Sequence, residues 1–149
     1  MISHALSVGA LVLGAIIAHL PVAAHGRPPC TKMEARQAEV EAGILRNWTD
    51  VYSSYKRFAH CDDGAIAEGY SDSIGQILAH KWNELPELTR LTRSDRGFED
   101  FVIRHVDATL LAGDLKIIAD NAVRRCAARA PRLCQLLGER ALAALKEIR

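Results

Sequence analysis

No charged side chain precedes Arg27, and the chain before it is almost wholly apolar from Ala5 to Ala24. The stretch closes on Pro21-Val22-Ala23-Ala24. Small residues at Val22 and Ala24 suit a signal-peptidase cleft that admits only small side chains three and one places before the cut. Residues 1–24 therefore read as a signal peptide cleaved before His25, with the amino terminus and His4 where a lysine or arginine is usual. An uncleaved anchor is the competing reading. Roughly 20 apolar residues would span a bilayer, but Pro21 and the small-residue exit argue for cleavage. No Leu-x-Gly-Cys type box precedes Cys30, since "RPPC" puts bulky residues there, so no lipid anchor is expected. The expected product is residues 25–149, a single domain, periplasmic or secreted, with no stable membrane anchor after cleavage.

Other absences narrow the chemistry. No run of five alternating apolar and polar residues suggests a sheet. No internal repeat or low-complexity tract is present. No Cys-x-x-Cys exists, which speaks against a thioredoxin-type exchange centre. Net charge is only +1, yet its distribution is uneven: residues 60–100 hold nine acidic and four basic side chains, residues 115–149 eight basic and three acidic. These parts either face each other or solvate separate surfaces. A nucleic-acid role for Arg124, Arg125, Arg129 and Arg132 would need aromatic or groove-reading partners, and none is evident.

What is present reads as helix. Thr31-x-x-Glu34 is a capping box, each side chain satisfying a free backbone N–H of the other's turn. Met33, Ile44, Leu45, Trp48, Val51, Tyr52, Tyr55 and Phe58 then recur at three- and four-residue spacing, which predicts one long helix over 32–59. Asp62 or Asp63 caps a second, striped by Ile66, Tyr70, Ile74, Ile77, Leu78 and Trp82. Pro86 suits the first turn of a short helix. Ser94 or Asp95 opens another, with Phe98, Phe101, Val102, His105 and Val106 inward. Gly113-Asp114 reads as a stop and a new cap before Leu115, Ile118 and Val123, and Pro131 starts the last helix, running to Ile148. Such stripes must bury against each other, so the fold class is all-α: a compact bundle of four to five amphipathic helices.

The cysteines test that reading. An exported chain with four cysteines ordinarily forms two disulfides. An unbroken helix over 32–59 would hold Cys30 and Cys61 roughly 40 Å apart at 1.5 Å per residue, against the roughly 7 Å between α-carbons that a bridge allows. Either the helix breaks, at Gly43 or around Asn47–Asp50, or only one bridge forms. Cys126–Cys134 is the favoured bridge, because the two flank a short connection.

The stretch 60–82, "HCDDGAIAEGYSDSIGQILAHKW", gathers the chemistry-bearing side chains. An EF-hand loop starting at Asp62 fails, with Gly64 third and Ser73 twelfth. His60, Cys61 and His80 are not in zinc-ligand register on one helix, although a site completed by His105 or His25 stays open. Cys61 with His60 as its base would be a nucleophile pair, but sequence neighbours rarely align so. Glu68 and Asp72 share a face and could act as a carboxylate pair. They also continue into Gln76, His80 and Glu84 at the same spacing, as a solvated face does. Glu68, Asp72 and His80 are therefore the candidate functional surface, with no catalytic residue, cofactor or metal assigned. Two ladders of small residues, Ala67/Ser71/Gly75/Ala79 and Ala65/Gly69/Ser73, predict close approach by neighbouring helices and mark 63–82 as the central helix.

The run "SYKRFAHCDDGAIAEGYSDSI", with Trp82 downstream, resembles small exported bacterial helical proteins of unassigned activity, a resemblance that implies no catalytic residue. In size, export and helical class the chain is also similar to the amidase-immunity proteins of type VI secretion systems. The expected function is a non-catalytic exported binding protein acting on a protein partner, as an immunity or inhibitor protein, without nucleic acid. The alternative is a small periplasmic hydrolase using Glu68 and Asp72.

Overall fold

The computed structural model describes residues 29–126, 128 and 130–148; the expected leader, 1–24, and its cut before His25 lie outside them. Among the described residues there are seven α-helices and no strand, an all-α bundle. The helices are α1 (Lys32–Ala42), α2 (Trp48–Phe58), α3 (Gly64–His80), α4 (Leu85–Ser94), α5 (Arg96–Arg104), α6 (Ala112–Arg124) and α7 (Pro131–Glu147). Single 3₁₀ turns at Ala59–Cys61 and Trp82–Glu84 flank α3. No helix among the described residues is long and apolar enough to cross a membrane.

The chain starts and stops its helices largely where the side chains dictate. Thr31 and Glu34 form the capping box: Thr31 Oγ1 accepts from the Glu34 amide at 3.3 Å and Glu34 Oε2 accepts from the Thr31 amide at 2.9 Å. Asp63 caps α3, followed by Gly64 at φ 53°, in the left-handed region that a side chain resists. Asp95 ends α4 and caps α5, accepting from the Phe98 amide at 3.1 Å. Pro86 and Pro131 stand in first turns, where a missing N–H costs nothing. Gly113-Asp114 is not the expected stop and cap. The helix begins at Ala112 after an uncapped Leu111, and Asp114 lies buried inside its first turn.

The single helix expected over 32–59 is two. It breaks at Gly43, and Asn47 opens α2 with its Oδ1 accepting from the Asp50 amide at 2.9 Å. The reason lies across the bundle in α3. A Cβ placed on Gly69 would stand 3.1 Å from both the Ala42 Cβ and the Gly43 amide nitrogen, so the end of α1 rests directly on α3 backbone. Ser73 then secures the break: its Oγ donates to the Ala42 carbonyl at 2.6 Å and accepts from the Leu45 amide at 3.2 Å. A third bond runs from Lys81 Nζ to the Arg46 carbonyl at 2.6 Å. Backbone groups that continuing the helix would have satisfied are thus paired with α3 instead.

The break permits both bridges. Cys30–Cys61 brings α-carbons 31 residues apart in sequence to 5.0 Å, folding α1 back along α2, and Cys126–Cys134 staples the connection between α6 and α7. Of the two alternatives the cysteines left, the helix breaks: the favoured Cys126–Cys134 bridge is present, and Cys30–Cys61 forms with it. Two disulfides fit a protein of an oxidising environment.

Central α3 packs against α1 and α6, while α6 lies along α7. Its first small ladder does not meet a helix throughout. Gly75 accommodates Leu110 of the α5–α6 connection, whose Cδ2 would lie 2.5 Å from an added Cβ. Inside, Tyr52, Tyr55, Tyr70, Phe98 and Phe101 form one aromatic group, Tyr70 meeting Phe101 edge-on at 5.0 Å. Not every expected stripe residue joins it. Met33, Ile44, Val123 and Ile148 are exposed, because the break re-aims the end of α1 and because Val123 and Ile148 lie off the faces that α6 and α7 bury.

Candidate functional site

The opening turn of α3 is structural throughout. The Asp62 side chain is 7 % exposed; its Oδ1 meets His105 Nε2 at 3.0 Å and its Oδ2 accepts from Arg104 at 2.7 Å. Burial pushes the Asp62 carboxyl up, but hydrogen bonds from His105 and Arg104 and their charges outweigh it and hold the carboxyl below its ordinary value. His105 is 2 % exposed, and its Nδ1 faces the Phe101 carbonyl at 2.7 Å, so both ring nitrogens have acceptors. The histidine is a satisfied core group that ties α5 to the start of α3. Sequence indicated its burial but carried no signal for its pairing with Asp62, 43 residues away.

Of the predicted surface residues, Glu68 and Asp72 share a recess, and His80 is linked to it through Asp114. Glu68 and Asp72 are exposed on α3, and with Thr109, Leu110, Leu111 and Asp114 they line an open recess of about 280 Å³. Asp114 sits at its inner wall. Gln76 Nε2 donates to Asp114 Oδ2 at 3.1 Å, and His80 Nε2 lies 3.1 Å from Asp114 Oδ1. The series Glu68, Asp72, Gln76, His80 is therefore not a plain solvated face. Its far half clasps the first turn of α6, and its near half borders the recess. Ser71 donates to Asp107 at 2.8 Å and so fixes the connection that supplies Leu110 and Leu111. Burial pushes the Asp107 carboxyl up, yet bonds from Thr109 and Ser71 hold it below its ordinary value, which keeps this turn anionic and closed.

Leu111, 71 % exposed, stands beside these carboxylates with no apolar cover. Asp114 and Leu111 are the members that sequence reading missed. A four-residue series of polar side chains on α3 was the available signal that something packs there, but not what.

A larger groove, about 530 Å³, runs past Pro86, Thr89, Arg90, Ser94 and Ala130. It holds none of the predicted residues, and Arg90 is engaged by Glu87 at 2.7 Å. No known protein family, curated protein or solved structure matches the chain.

Proposed function

We propose that the protein is a non-catalytic exported binding protein acting on a protein partner, in its most concrete form an immunity or inhibitor protein. The observation that carries this is the α3–α6 recess, where exposed Glu68 and Asp72 share the lining with an exposed Leu111. An exposed apolar side chain beside like charges suits a small docking surface: the leucine gives up water, and the carboxylates orient and select a cationic partner segment. The two disulfides support a periplasmic or secreted location. The test is capture from periplasmic extract by purified wild type and by the Glu68→Lys/Asp72→Lys double variant. A partner retained by the first and not by the second is expected. Equal capture by both, or none by either at micromolar bait, would sink the reading.

A hydrolase using Glu68 and Asp72 is the second reading, favoured by one observation: buried Asp114 adds a carboxylate of contrasting environment to the recess. Paired-carboxylate chemistry needs such contrast, and Glu68 and Asp72, both exposed, do not provide it by themselves. This reading expects turnover of chromogenic ester, amide or glycoside substrates that Asp114→Asn abolishes.

A further inference from the structure

Where the amino end of α1 meets the end of α2, Cys30, His60 and Cys61 each place a ligating atom within 4.8 Å of the other two. His60 is 14 % exposed, and its Nε2 is the buried side-chain polar atom among the described residues that makes no hydrogen bond. Glu34 Oε1 lies 3.4 Å from it, near enough for attraction but outside hydrogen-bond geometry, because the Thr31 cap holds the carboxylate by its other oxygen. A buried imidazole nitrogen that keeps only this longer contact, beside two sulfurs, is under-satisfied in the bridged state.

We infer that, in the dithiol state, Cys30, His60 and Cys61 form a binding site for a thiophilic divalent cation of the Zn²⁺ type. Two thiolates and one imidazole are a ligand set that selects such a metal, with the fourth position left to water. Tetrahedral zinc asks for ligand atoms about 3.5–3.8 Å apart, given Zn–S of about 2.3 Å and Zn–N of about 2.0 Å. Opening the S–S bond lets the sulfurs separate to that span without moving the backbone far, since the α-carbons are 5.0 Å apart. The frame survives reduction because other contacts hold it: Gly69 and Ser73 seat the end of α1 on α3, and Glu41 of α1 pairs with Arg57 of α2.

The site exists only before the bridge forms or after it is reduced. On oxidation by a disulfide exchange partner, the two metal-bound thiolates form one S–S bond and release two electrons. The partner's disulfide takes these up with two protons to become a dithiol, and the cation returns to solvent. The cation is thus a temporary clip holding Cys30 beside Cys61 until the disulfide replaces it.

The test titrates the full purified chain with Zn²⁺ against a chromophoric chelator, once oxidised and once reduced under anaerobic conditions. A Cys126→Ser/Cys134→Ser variant removes the second sulfur pair from the assay. The reduced protein is expected to bind one Zn²⁺ and the oxidised protein none. His60→Gln should weaken binding by about ten-fold or more, and Co²⁺ in place of Zn²⁺ should show thiolate charge-transfer bands. Binding equal in both redox states, absent from the reduced chain, or unchanged in His60→Gln would overturn the inference. If the serine variant does not fold, His60→Gln in the reduced wild-type chain decides alone, because it leaves all four thiols in place.

Discussion

Asp62 joins two elements through one side chain, and its chemistry sets a pH dependence. Its folded-state carboxyl titrates below the unfolded value. Its contribution to stability is therefore complete above the unfolded value and is lost as pH falls through the folded one. Asp62→Asn should lower the urea midpoint at neutral pH and flatten its fall below about pH 4; an acid limb as steep as that of wild type would assign the loss to other carboxylates. Gly75 gives a second residue-scale expectation. Leucine there would gain several tenths of a kcal/mol in helix propensity but collide with Leu110. Overpacking of this kind costs about 1–3 kcal/mol, so thermal unfolding of Gly75→Leu should show a clear fall in melting temperature. A rise would mean that Leu110 swings away freely.

At the scale of elements, the α1–α2 break decides the topology, and it was only half legible. Gly43 and the pattern of the cysteines both marked 43–50 as the place where a straight helix could fail. What the local pattern lacked was the partner: the stripe from Met33 to Phe58 keeps helical spacing through the break, because spacing along a chain cannot register a contact made by Gly69 and Ser73. Capping is legible at Thr31, and to within a neighbour at Asp62 or Asp63 and at Ser94 or Asp95, where the signal is local; it is not legible at Asp114, whose partners lie on α3. Ser73→Ala would leave the Ala42 carbonyl and the Leu45 amide without this partner, at a cost of about 1–3 kcal/mol by chemical denaturation. Removing the Cys30–Cys61 bridge should cost more, about 3–4 kcal/mol, than removing Cys126–Cys134 at about 2–3 kcal/mol, since the first closes 31 residues and the second 8. Peptide mapping without reduction should recover both bridges; an unpaired Cys30 would contradict the broken-helix topology.

For the whole molecule, the uneven charge resolves into two uses. Some opposite charges meet inside the bundle, as where Arg132 of α7 lies 2.7 Å from buried Glu99 of α5. Others stay outward: Asp63, Glu68, Asp72 and Asp100 of the acidic segment are exposed, and Glu68 and Asp72 border the recess. A partner drawn there by charge should associate more slowly as salt rises, because about 0.1 M ions screen beyond roughly 10 Å. The decisive measurement is affinity capture from periplasmic extract with wild type and Glu68→Lys/Asp72→Lys, both checked by thermal unfolding. The double variant is expected to melt within a few degrees of wild type yet to lose a partner that wild type retains. A variant that folds equally well and captures the same protein would contradict that expectation, and the recess would not be where this protein acts.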